Sequence, residues 1–341
     1  MSEEEGKPSR RLSDEQLTEI FREDVKPGLA RFTTQASPRM VILGGPQGSR
    51  KSTLRPLVAE QLGLTDFVVW DGDDHYAFHP HYDALAQELG APEAQGLCRP
   101  DIEALRRNIL EEVHGRRLNI MFVGPYTHEG YTLDERVAPF RDNGYATELA
   151  YTALHQALCQ VGVMDRHRQA LTNGPGYSFL VSLELQQMVF DGVPTIMTIA
   201  EERGLVDALH VVDASGIIFS KHLGADGTWV PSRPAAEVVQ EIRMEPWTST
   251  TRQDFLQRRS SVATSPGNAE DWGSRLARVD ELAAPMLGAE APMRPSARAA
   301  RLRSATASAA RIGKKAAAPP SGHRRPPPQA PGQESSSGRS R

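Results

Sequence analysis

With 341 residues, 39% of them hydrophobic, and a formal net charge of −4, the chain can bury a core in one large domain or two small ones. No apolar run approaches a membrane span, and the start Met-Ser-Glu-Glu-Glu-Gly-Lys lacks the charged-then-apolar order of a secretory signal. The expected location is therefore the cytoplasm, with no membrane partner. Cys98 and Cys159 are too few for a disulfide framework or a zinc site.

The chain opens with a polar stretch, residues 1–12, expected to be a flexible N-terminus. Ser13 to Gln16 then reads as a capping box that starts a helix carrying Leu17, Ile20, Phe21 and Val25, and Pro27-Gly28 is expected to end it. The next segment carries the chemistry. Met40-Val41-Ile42-Leu43 reads as a buried parallel strand, Gly44 to Lys51 as a glycine-rich turn, and Thr53 to Leu62 as a helix.

Strand, loop and helix in that order form the context of a phosphate-binding loop, here Gly45, Pro46, Gln47, Gly48, Ser49, Arg50, Lys51, Ser52 and Thr53. Backbone N–H groups would point at an anion, and the helix N-terminus would add partial positive charge. Lys51 would reach the outer phosphates and the Ser52 hydroxyl would ligate Mg²⁺, which implies ATP and Mg²⁺ as cofactors. One position departs from Gly-x-x-x-x-Gly-Lys-[Ser/Thr]: Arg50 stands where the second glycine belongs. An arginine there crowds the turn or turns outward and adds a cation.

Phe67 to Trp70 reads as a second strand. It ends in Asp71-Gly72-Asp73-Asp74, where open α/β sheets place their ligands. Those carboxylates suit metal binding or acceptance of a proton from a hydroxyl. His79 and His81, two positions apart with no third ligand nearby, make a weak metal motif. Further elements are expected at Asp101 to His114 (helix), Leu118 to Gly124 (strand), Glu135 to Asn143 (helix) and Ala146 to Leu154 (strand). Gln156 to Leu171 reads as a helix bearing Arg166 and Arg168, and Phe179 to Glu202 as one kinked or split at Pro194, with Leu183, Leu185, Met188, Val189 and Ile196 inside. Two short strands around Asp213-Ala214-Ser215 and helices at Pro234 to Met244 and Trp272 to Met286 complete the globule, residues 13–290.

From Met293 onward 11 Lys and Arg stand against one acid, Glu334, which leaves 28 basic and 42 acidic side chains before it. This Ala/Arg/Pro/Ser tail, residues 291–341, reads as disordered and basic, suited to acidic surfaces or nucleic acid. The expected class is α/β: a P-loop NTPase-like parallel sheet flanked by helices, with that tail appended.

Gly44 to Leu54, Asp71-Gly72-Asp73 with His79-Pro80 and Asp83, and Gly162 to Arg166 together resemble the zeta toxin family of kinases, over roughly residues 13 to 225. The resemblance implies ATP- and Mg²⁺-dependent phosphorylation of a sugar hydroxyl of UDP-N-acetylglucosamine, with an antitoxin protein as a partner. It assigns Lys51 to the phosphates, Ser52 to Mg²⁺, Asp73 to the base that takes the hydroxyl proton, and Arg166 to the transferring phosphate. Three departures go with it: Arg50 in the loop, Val123-Gly124 where the family has Glu-Gly, and Gly176-Tyr177 where a second arginine follows a glycine. Glu129 and Arg168 are candidate replacements. Two other readings stay open: a kinase of a different hydroxylated acceptor, such as an antibiotic, and a nucleotide-binding module weakened in catalysis.

Overall fold

The computed structural model describes residues 11–127, 132–175, 177–264, 267 and 270–288. Seven strands form one sheet: β1 Arg39–Gly44, β2 Phe67–Asp71, β3 Asn119–Gly124, β4 Ala146–Thr152, β5 Ala208–Asp213, β6 Gly216–Leu223 and β7 Trp229–Val230. Their order is β2-β3-β1-β4-β5-β6-β7; the first five run parallel, and β6 and β7 return antiparallel. The expected α/β architecture is present, with the phosphate-loop strand β1 in the interior of the sheet between β3 and β4.

The strands read as continuous apolar runs because both faces are covered. On one face Met40, Ile42, Ile120, Phe122, Leu149 and Leu209 pack beneath helices α5 (Ala91–Gly115), α6 (Leu133–Asp142), α8 (Leu183–Glu202) and α9 (Ala235–Met244). Alternate residues, Val41, Leu43, Met121, Val123 and Ala150, face α3 (Lys51–Gln61) through Leu54, Val58 and Ala59. A separate apolar cluster joins α7 (Gln156–Asn173), α10 (Ser249–Thr264) and α11 (Trp272–Gly288) through Ala157, Val161, Phe255, Val262, Trp272 and Val279.

Several boundaries differ from expectation. The N-terminal helix does begin at the Ser13–Gln16 capping box, as α1 Asp14–Ile20. It does not stop at Pro27-Gly28: a π turn, Phe21–Val25, precedes α2 Lys26–Ala30. Proline lacks the N–H for the residue four before it and crowds that carbonyl, and a locally widened turn accommodates both problems. Helix α5 starts ten residues before Asp101 and runs through Pro100, while α4 Tyr82–Leu89 precedes it across Gly90. Pro194 lies inside an unbroken α8, and Met188 on that helix is exposed. Helix α10 and strand β7 have no counterpart in the sequence reading. The basic tail and Glu129 lie outside the described residues.

Candidate active site

The C-terminal ends of β1, β2 and β3 open into a cleft of about 1030 Å³. It is lined by Gln47 to Thr53, by Asp71 to Asp73, by Val123 to Tyr126, and by side chains from α5, α6, α7, α8 and α10. Lys51, Ser52, Asp73 and Arg166 all border this one space. Eight cationic side chains and five carboxylates line it, a positive balance that suits a polyanion.

The loop between β1 and α3 is held by tight contacts rather than by its own sequence alone. Gly48 has φ 75°, and a Cβ there would lie 1.9 Å from the Cys159 carbonyl oxygen. Opposite it, a Cβ on Gly162 of α7 would come within 2.7 Å of the Gly48 carbonyl oxygen. Loop and helix therefore touch backbone to backbone, which only glycine permits. Ser49 is fully buried, and its hydroxyl bonds that of Thr152 at the end of β4 at 2.8 Å. Its side chain anchors the loop to the sheet and leaves only its backbone for a ligand.

The Lys51 Nζ donates to the carbonyl oxygens of Gly45 and Pro46, each at 2.8 Å. Gly45 and Pro46 thus meet the lysine from beneath, while Gln47 to Thr53 face the cleft. Burial lowers the Lys51 pKa to about 8; Arg166 pushes the same way, and Asp71 and Asp73 push against it. The lysine thus feels the arginine and both carboxylates across the cleft. Arg50, at the start of α3, holds φ 64° and ψ 24°, a left-handed conformation strained for a side-chain-bearing residue. Its guanidinium reaches to Asp254 of α10, with Nη1 to Oδ2 at 3.6 Å.

At the end of β2, the Asp71 carboxylate accepts from the Asp73 N–H at 3.2 Å, which turns the chain and exposes Asp73 to the cleft. Burial, helped by Asp74, raises the Asp71 pKa. Arg106 of α5 locks this turn by donating to the Gly72 carbonyl at 2.6 Å and to His75 Nδ1 at 3.2 Å. Burial and then Arg106 hold His75 at about 4, so it is neutral and serves as an acceptor. His79 pairs with buried Asp101, 3.3 Å away, which also accepts from Arg11. Among the described residues no group of three or more His, Cys, Asp or Glu side chains could hold a metal ion.

Among the described residues Arg166 makes no ion pair, whereas Arg168, one turn-fraction on, is tied to Asp165 at 2.8 Å. Val123 sits at the cleft end of β3 with 3% exposure, packed with Val41 and Leu43. Tyr177 does not line the cleft: its hydroxyl donates to Asp83 at 2.6 Å and its ring meets Tyr82 edge-on. The cleft also contains groups absent from the sequence reading, namely Arg106, Arg107, Arg136 and Tyr126, along with the α10 residues Asp254 and Arg258. Arg136 lies over the Phe122 ring, 5.3 Å from its centroid.

A family model described as zeta toxin matches residues 24–222, from the N-terminal helices to β6. Toxin zeta of Streptococcus pyogenes is 20% identical over 209 residues, 60% of this chain and 71% of the relative. Toxin zeta of Streptococcus agalactiae is 21% identical over 184 residues, 53% of this chain and 62% of the relative. A solved chain from the PezAT chromosomal toxin–antitoxin system of Streptococcus pneumoniae superposes with a TM-score of 0.61 at 15% identity. That likeness covers 76% of this chain and all of the other, and it shows a shared fold.

Proposed function

The chain belongs to the zeta toxin family, and on that footing we propose that it is a kinase transferring the γ-phosphoryl group of ATP to a sugar hydroxyl of UDP-N-acetylglucosamine or a related compound. The single observation that carries this reading is the meeting of Lys51, Ser52, Asp73 and Arg166 at one cleft, from three separate stretches of chain. Phosphoryl transfer asks the protein mainly to position two oxygens in line and to stabilise charge, and these residue types do that.

In this reading the loop backbone and Lys51 hold the outer phosphates, exchanging the lysine's bonds to Gly45 and Pro46 for bonds to phosphate oxygens. Arg166, with no ion pair to give up among the described residues, meets the charge that develops on the phosphoryl group in transfer. Asp73 accepts the proton of the attacking hydroxyl; its exposure at the turn after β2 leaves it open to an acceptor molecule. The donor set also fits Mg²⁺: the Ser52 hydroxyl with Asp71 nearby offers hard oxygens, and Mg²⁺ in such sites takes few protein ligands and completes its shell with phosphates and water. When bound, that ion supplies neutralisation of phosphate charge. An antitoxin-type protein partner belongs to the same reading.

The acceptor is the finer part of the proposal. Incubating the protein with ATP, Mg²⁺ and UDP-N-acetylglucosamine should yield the acceptor heavier by one phosphoryl group in mass spectra. Phosphorylation of other hydroxylated compounds, with none of this one, would keep the kinase and replace its acceptor. ADP formation without a phosphorylated product from any of them would remove the kinase reading.

A further inference from the structure

Helix α10 lies beyond the family-matched residues, yet one of its faces looks into the phosphate cleft. Asp254, Gln257, Arg258 and Ser261 line the cleft at the i, i+3, i+4, i+7 spacing of a single helical stripe. Phe255 and Val262, on another side of the helix, are buried in the cluster shared with α7 and α11. Packing thus fixes α10 by its apolar side and leaves a charged stripe facing the loop.

Within that stripe one carboxylate serves two guanidiniums. Asp254 Oδ2 is 3.2 Å from Arg258 Nε, one turn along the helix, and 3.6 Å from Arg50 Nη1, across the cleft wall. Arg50 immediately precedes Lys51 and Ser52, so this triad stands beside the loop that would hold the donor phosphates. Two positive charges on one negative charge leave a surplus of one. The pairs are also loose: Arg50 and Asp254 each keep 40% of their side-chain surface exposed, and exposed pairs of this kind contribute little. A multiply charged phosphate offers both guanidiniums a stronger partner in a geometry their planar forks match.

We propose that α10 is part of the donor-nucleotide site: Arg50 and Arg258 grip the polyphosphate of ATP, and Asp254 keeps both guanidiniums at the cleft wall while the site is empty. This rests on the kinase reading above. It also gives the strained Arg50 a use, since the residue that departs from the loop pattern carries a cation toward the same phosphates. Tyr177, bonded to Asp83 outside the cleft, adds no cation there, so α10 supplies charge from a different element.

Calorimetric titration of the full chain with a non-hydrolysable ATP analogue, ADP and adenosine tests the inference. Arg258→Gln should raise the Kd of the analogue and of ADP about tenfold, the loss of a charged hydrogen bond, and leave adenosine binding unchanged. Arg258→Lys should recover part of that loss. Arg50→Gly should weaken analogue binding while raising the Tm, because glycine relieves the left-handed backbone. Arg258→Gln and Arg50→Gly variants that bind the analogue as tightly as the wild type would overturn the inference alone, provided Lys51→Ala loses binding. Equal losses for adenosine and the analogue would likewise overturn it, by making α10 a structural clasp. A wild type that binds none of the three would overturn both this inference and the kinase reading.

Discussion

Replacing Gly162 by alanine should damage nucleotide binding out of proportion to stability. A Cβ on Gly162 would sit 2.7 Å from the Gly48 carbonyl oxygen and 3.3 Å from its Cα. Ordinary C···O approach begins at about 3.3 Å, so loop and helix must part by about 0.6 Å. Two effects on folding oppose each other. Alanine favours the helix over glycine by about 1 kcal/mol, while forcing a methyl group into a tight contact costs about 1–3 kcal/mol. The net destabilisation is then about 0–2 kcal/mol, a Tm loss of roughly 0–8 °C for a domain of this size. The loop, however, moves by a distance that matters for reactive geometry, where a displacement of about 1 Å costs on the order of a hundredfold. A displaced loop N–H also loses a hydrogen bond to charged phosphate, worth about 1.5–3 kcal/mol, so the expected result is a Kd for a non-hydrolysable ATP analogue raised at least about tenfold, measured by titration, with a near-native melting curve. Wild-type affinity in a folded variant would refute the claim that the α7 contact positions the loop.

Lys51→Ala should abolish ATP binding without unfolding, because among the described residues the ammonium bonds just the loop carbonyls of Gly45 and Pro46; unchanged affinity would remove the loop from the site. Affinity for ATP should be flat below pH 7 and fall above about pH 8, by up to about tenfold per unit, because the bound complex needs the lysine charged and burial holds it near 8 in the empty site. The same lowered value means the unfolded chain binds more protons between about 8 and 10.5, so this group makes the empty protein more stable as pH rises through that window; titrations and melts at pH 7, 8 and 9 check both signs. Val123→Glu should raise turnover with UDP-N-acetylglucosamine and lower the Tm by several degrees, since a carboxylate replaces a side chain with 3% exposure at the cleft end of β3; no gain in turnover would contradict that placement.

The sheet was legible because parallel strands buried on both faces are written as unbroken apolar runs, such as Met40-Val41-Ile42-Leu43 and Ile120-Met121-Phe122-Val123. The loop was legible because its glycines and Lys-Ser-Thr lie in one local stretch. What the sequence hid was written in tertiary contacts. Ser49 looks like any loop serine until Thr152, over a hundred positions away, takes its hydroxyl. Helix α10 is rich in Ser, Thr, Arg and Gln because one side borders the cleft, so only Phe255 and Val262 mark its buried side, too few for a periodic signal. The first ten residues of α5 contain Gly96, Pro92 and Pro100, which read as loop, and packing of Ala94 and Cys98 against Tyr82 overrides that preference. Arg106, Arg107 and Arg136 carry no local motif at all; only the way α5 and α6 dock on the sheet brings them to the cleft.

Acceptor-dependent ATP consumption, measured for the wild type and for Asp73→Asn, tests the role of Asp73 most directly. With Mg²⁺ and UDP-N-acetylglucosamine present, the wild type should consume ATP well above its acceptor-free rate. Asp73→Asn should lose that increment, by roughly a hundredfold or more, while binding an ATP analogue with near-wild-type affinity. Equal acceptor-dependent rates in the two proteins would contradict the assignment of Asp73 as the group that takes the hydroxyl proton.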